Sequence, residues 1–166
     1  RRSGHHRPCL HGSTLIFFNT FDNPDRAPSR AMETSMSIAN WCVLAACLLP
    51  VVTVGAAKAS VGMKSPRKGG YDNHNPRLWA AGLTGWQQRA NAAQANGFEA
   101  LPLFIAAVLM AQQAQADQAV IDQWAMAFIG IRVAYIASYL MDKAVLRSLI
   151  WVAGVAVCVY IMSLAA

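Results

Sequence analysis

Two ionisable residues stand alone inside long apolar runs. Glu99 is the single charge in Ala90–Ala111, and Arg132 is the single charge in Gln123–Met141. An unpaired charge at the centre of a bilayer costs on the order of 3 kcal/mol or more, so such residues are usually paired or functional. Counted from Arg89 and from Asp142, each lies ten residues into its run, which is about 15 Å at the rise of a helix. Opposite sign and matched depth predict a structural ion pair, Glu99–Arg132. Such a pair serves equally well as glue between two helices and as part of a site.

Helical spacing gathers other polar groups around these two. At 100° per residue, Arg89, Asn96 and Glu99 fall within about 80° of one another, and Arg132, Tyr135 and Tyr139 within about 60°. Arg147 opens the next apolar run. Cationic donors, an amide and two phenols on converging faces suit a small anion whose carboxylates need clamping and whose nucleophile needs activating. The plainer reading makes the tyrosines and tryptophans interfacial belt residues and lets Arg147 snorkel to the surface. No metal site is expected. The cluster His5-His6-Arg7-Pro8-Cys9-Leu10-His11 has no second ligand pair at a zinc spacing. Cys9, Cys42, Cys47 and Cys158 are unevenly spaced, which suggests buried thiols and no disulfide framework.

These residues are carried by elements that the charge map defines. Of 166 residues, 55% are apolar and 13% charged, against about 25% charged in a soluble domain. Ile38–Ala57 and Ser148–Ala166 carry no charge at all. About 20 residues of helix cross the roughly 30 Å hydrocarbon layer, and four windows of that length are present. A soluble bundle would need a polar stripe on every helix, and a β-barrel would need sustained alternation; neither is found. The expectation is an all-α integral membrane four-helix bundle over residues 36–166, with helices at about 38–57, 88–111, 119–141 and 145–166. The formal charge of +6 is spread over membrane loops, so no nucleic-acid partner is expected.

Loop charge sets the expected orientation. Residues 58–86 carry Lys58, Lys64, Arg67, Lys68 and Arg77, and residues 141–147 carry Lys143 and Arg147. Gln112–Asp122 has no basic residue and two acids. The positive-inside rule therefore puts loops 58–86 and 141–147 in the cytoplasm and the C-terminus on the opposite side, which in a bacterium means an inner-membrane protein. Five arginines within residues 1–31 conflict with this orientation. That stretch is expected to be a disordered or non-native extension.

The segment Arg89-Ala-Asn-Ala-Ala-Gln-Ala-Asn96-Gly-Phe-Glu99-Ala-Leu-Pro102-Leu-Phe resembles the second-helix signature of the MAPEG superfamily, the membrane-associated proteins in eicosanoid and glutathione metabolism. Arg132-Val-Ala-Tyr135-Ile-Ala-Ser-Tyr139, followed by Asp142, Arg147 and Trp151, resembles its third helix and the entry to its fourth, most like small bacterial members. The resemblance runs from about Met36 to Ala166. It implies a homotrimer with glutathione, as co-substrate, bound between subunits near the cytoplasmic face. Arg89, Asn96, Glu99, Tyr135 and Tyr139 would then be glutathione-binding residues, and Arg147 the catalytic arginine that stabilises the glutathione thiolate. The chain departs from mammalian members at Ala92, where they carry an arginine, and at Ala100, where several carry a tyrosine. Its Arg147 also lies one residue further from Tyr139 than in the leukotriene-forming enzymes.

The function implied is a glutathione-dependent transferase or peroxidase acting on small apolar electrophiles that partition into the lipid bilayer. A family member without catalysis, structural or ligand-binding, is the first rival. A small multidrug exporter is the second. Exporters of that class need an unpaired glutamate, typically in the first helix, and the first window here has no acid.

Overall fold

The computed structural model describes residues 36–62, 64–65 and 68–166. The expected extension over residues 1–31, with Cys9 and the histidine cluster, lies outside the described residues. The described helices are α1 (Ile38–Ser60), α2 (Pro76–Ala81), α3 (Gly85–Gln113), α4 (Gln118–Leu140) and α5 (Ala144–Ser163). The long ones are the four expected spans, displaced by no more than three residues at any end. All four are long and apolar enough to cross a membrane, and at most 33% of any span's most apolar stretch is buried. Trp41, Leu44, Leu48 and Val52 of α1, and Leu149, Val152 and Val159 of α5, are left exposed. In water that surface would drive aggregation; in lipid it costs nothing. The protein is an integral, multi-pass membrane protein.

Local chemistry fixes the helix ends. Ser37 caps α1 by accepting from the Asn40 N–H at 3.2 Å, and Asp117 caps α4 by accepting from the Ala119 N–H at 2.9 Å. Asp122 of α4 adds a tertiary cap, accepting from the Ala39 N–H at 2.8 Å. The C-terminal ends of α3 and α4 share one device. Gln115 and Asp142 take left-handed backbone angles, with φ of 57° and 61°. The following amides then reach back, Ala116 N–H to the Ala111 carbonyl at 3.1 Å and Lys143 N–H to the Ser138 carbonyl at 2.9 Å. This recapture of orphan carbonyls lets each helix turn back within a few residues.

Helices α3 and α4 pack together at the centre. Helix α1 lies against both on one side, and α5 lies against both on the other. Small residues line the close approaches, with Ala39, Cys42 and Ala46 of α1 and Ala107, Ala111 and Ala125 of the central pair all buried. In lipid, close packing of small residues replaces the hydrophobic driving force between helices. Phe104 and Phe128 stack across the α3–α4 contact, centroids 4.0 Å apart and rings 12° from parallel. The connection between the first two spans contains α2, just after a stretch rich in glycine, asparagine and proline. Its Pro76 occupies the first helical turn, where the missing N–H has no intrahelical partner to lose. Tyr71 packs edge-on against Trp79 at 4.9 Å, and Lys58 donates to the Tyr71 hydroxyl at 3.1 Å.

Candidate functional site

One end of the bundle gathers the basic loops, the C-terminal ends of α1 and α4, and the N-terminal ends of α3 and α5. From this basic end a groove runs into the bundle, walled by α3 and α5 and floored by α4. Its mouth is an open cavity of about 410 Å³, touching Asn96, Tyr135, Arg147, Ser148 and Trp151. Below it lies a cavity of about 220 Å³, touching Asn96, Glu99, Arg132, Trp151, Gly154 and Cys158 among others. Asn96 and Trp151 belong to both. From Arg147 to Cys158 the α5 wall descends eleven residues, about 16 Å.

The polar groups of the floor form a column on α4. The spacing 132, 135, 139 puts three side chains on one face. The Arg132 guanidinium lies 4.5 Å from the centroid of Tyr135, Tyr135 meets Tyr139 edge-on at 5.7 Å, and the Arg147 guanidinium lies 4.3 Å from the centroid of Tyr139. Two cations thus close the ends of a two-ring stack, an arrangement favoured by the negative faces of the rings. Arg132 is 6% exposed and donates to Asn96 Oδ1 from both terminal nitrogens, at 3.2 Å each. Asn96 Nδ2 donates in turn to Glu99 Oε2 at 3.3 Å.

A model of the MAPEG family matches residues 38–166. The chain belongs to the MAPEG family. No curated protein and no solved structure matched.

In this MAPEG protein the sequence-derived site residues separate into two groups. Asn96, Glu99, Tyr135, Tyr139, Arg132 and Arg147 come together along the groove. Arg89 does not join them. It lies two helical turns nearer the basic end than Asn96, donates from Nε to the Leu140 carbonyl at 3.1 Å and faces Asp142 at 3.9 Å. That pair ties α3 to the end of α4 and is the one ion pair among the described residues.

The expected Glu99–Arg132 ion pair is not formed directly. Matched depth is satisfied, but depth counts residues along a helix and ignores rotation about it. Glu99 borders the lower cavity from an exposed position on α3, whereas Arg132 is buried in the floor. Asn96, one turn away from Glu99 on the same helix, fills the gap and bridges them. Two groove residues were not singled out by spacing. Trp151 follows Arg147 by one turn, and Cys158 follows Trp151 by two, so a helical projection of α5 from Arg147 would have found both. Among the described residues no three His, Cys, Asp or Glu side chains are placed to hold a metal ion.

Proposed function

We propose that this MAPEG protein is a glutathione-dependent transferase or peroxidase for apolar electrophiles dissolved in the bilayer. The observation that carries the reading is the pair of guanidiniums at the two ends of the tyrosine column, in a groove open at the basic end. Glutathione is a small peptide with two carboxylates, one ammonium and one thiol. Arg132 and the Asn96 amide are donors for a carboxylate, and Glu99 is an acceptor for the ammonium. Tyr135 lines the mouth, and Tyr139 lies against the Arg147 guanidinium. Arg147 at the mouth is the residue for the thiol.

The chemistry asked of Arg147 is modest and well defined. A thiol with a pKa near about 8.5 is mostly protonated at neutral pH, and the thiolate is the nucleophile. A guanidinium at close range favours the thiolate by about one to three pKa units. In transfer, the thiol proton leaves to water, the thiolate electron pair forms a bond to carbon, and the leaving group departs with its own pair. In peroxide reduction, thiolate attacks the terminal oxygen, alcohol is released, and a second glutathione resolves the sulfenate to disulfide and water.

Two further features belong to the same reading. Glu99 is exposed at membrane depth in a single chain, where facing lipid would be expensive; a homotrimer in which a second copy covers the groove removes that cost. The basic end is cytoplasmic, where glutathione is held in its thiol form, and the fourth span ends on the opposite side of the membrane, the inner membrane in a bacterium.

The test is an ultraviolet titration of the purified protein with glutathione near neutral pH. A thiolate band that saturates with ligand, and is lost in Arg147→Ala, is the expected result. A wild-type protein that binds glutathione without any thiolate band would be a ligand-binding family member without catalysis. Absence of binding would end the glutathione reading.

A further inference from the structure

Helix α1 forms no wall of the groove, yet one of its residues packs against the stretch of α3 that carries Asn96. Pro50 lies in the interior of α1 and is buried. Gly97, the residue after Asn96, is buried on α3. A Cβ placed on Gly97 would fall 2.7 Å from Cγ and 3.1 Å from Cβ of Pro50. Real Cβ atoms essentially never come within 3.0 Å of a neighbour, and nine in ten contacts lie beyond 3.4 Å, so the ring and the α3 backbone would have to part by about 0.3–0.7 Å to admit one methyl group. The proline ring on the bare glycine therefore sets the α1–α3 spacing at this level.

The same level contains Arg132. A cavity of about 10 Å³ is lined by Ala46, Pro50, Gly97 and Arg132 among others, so the proline and Arg132 border one small space. Pro50 has no N–H to give the Ala46 carbonyl, so the helix ladder of α1 is one bond short at this level. Asn96 is held on the other side of Gly97 by its bond to Arg132. Any shift of Gly97 is a shift of Asn96, and the two 3.2 Å hydrogen bonds to Arg132 have little length to spare.

We propose that Pro50 is a positioning residue for the groove: its ring, resting on Gly97, fixes the α1–α3 spacing from which Asn96 reaches Arg132. This rests on the glutathione reading only for its consequence on binding. Its consequence for the Asn96–Arg132 bond is independent of any ligand.

Four proteins test it: wild type, Gly97→Ala, Pro50→Ala and the double variant. Gly97→Ala should weaken glutathione binding by about tenfold or more, the scale on which a misplacement of under an ångström acts. Pro50→Ala restores a helix N–H and removes the ring; it should fold well and bind several-fold more weakly than wild type. The double variant should recover most of the way toward the Pro50→Ala level, because the 2.7 Å clash goes with the ring Cγ and only the 3.1 Å approach of the retained Cβ is left. Gly97→Ala binding like wild type, or a double variant no better than Gly97→Ala, would overturn the proposal. Should Gly97→Ala fail to fold, Pro50→Ala alone decides: unchanged affinity at an unchanged midpoint of thermal unfolding defeats it. Should wild type not bind glutathione at all, the function reading falls and a stability cycle between Pro50→Ala and Asn96→Ala decides this one. A shared effect, with the second change costing clearly less than it does alone, supports the coupling; independent additive losses overturn it.

Discussion

Both terminal nitrogens of Arg132 donate to a single acceptor, Oδ1 of Asn96, at 3.2 Å each. Most of what can be predicted for this protein follows from the fact that the acceptor is an amide oxygen and not the carboxylate three residues further on.

Asn96→Ala leaves a buried guanidinium with no partner from α3. It should destabilise the protein by about 1–3 kcal/mol in detergent unfolding. Glu99→Gln keeps an oxygen to accept from Asn96 and should cost less than about 1 kcal/mol. In double-mutant cycles with Arg132→Met, Asn96 should therefore couple to Arg132 more strongly than Glu99 does. A larger Glu99 coupling would mean that the two charges pair directly after all.

The Arg147 guanidinium carbon lies 4.3 Å from the centroid of the Tyr139 ring. Arg147→Ala should lower the bound thiolate-to-thiol ratio by about ten- to a thousandfold. Favouring the thiolate lowers the bound thiol's pKa, so thiolate absorbance in wild type should rise at a pH below the free thiol's value of about 8.5. The rise should move back up in Arg147→Ala. Arg147→Lys keeps the charge but loses the planar, multidentate guanidinium, and should fall between the two. A lysine variant matching wild type would reduce Arg147 to a point charge at the interface.

The span map and the site map were not equally legible. Exclusion of charge from hydrocarbon is a strong, one-dimensional constraint, so counting uncharged residues located all four spans. The groove needs rotation as well as depth. Spacing on one helix placed Tyr135 and Tyr139 with Arg132, because all three lie on α4. It grouped Arg89 with Asn96, yet seven residues of rise carried Arg89 away to Asp142. It joined Glu99 to Arg132 across two helices, where no one-dimensional count could see Asn96 standing between. Gly97 was invisible for another reason. A glycine announces a close approach only when the opposing residue, Pro50 on another helix, is known.

Asp122 marks the far end of the bundle, away from the groove mouth. Its carboxylate accepts from the Ala39 N–H at 2.8 Å and from Gln118 Nε2 at 2.7 Å. Asp122→Ala should cost about 0.5–2 kcal/mol, the range for a lost helix cap, read in the same detergent unfolding. Glutathione titrations of this variant should match wild type. A change in binding would show that the cap end and the groove communicate.

Orientation can be checked by labelling in a background with the four native cysteines replaced. Ser65→Cys, in the basic loop, should react with an impermeant maleimide only from the cytoplasmic side. Gln113→Cys, exposed at the end of α3, should react only from the other side. The reverse pattern would put the groove mouth on the face without a glutathione pool.

Helices α3 and α4 hold Glu99 and Arg132 and are joined by only Ala114–Asp117. The outer spans α1 and α5 carry one basic residue each, near an end. In terms of biogenesis, the outer spans can enter the bilayer unaided, whereas each central span bears a residue that opposes entry by about 2.5–3.5 kcal/mol. A four-residue connection keeps the two central spans adjacent, so each has its partner's polar groups close at hand. The Asn96–Arg132 contact that shapes the groove thus also offsets part of the cost of holding an arginine in hydrocarbon.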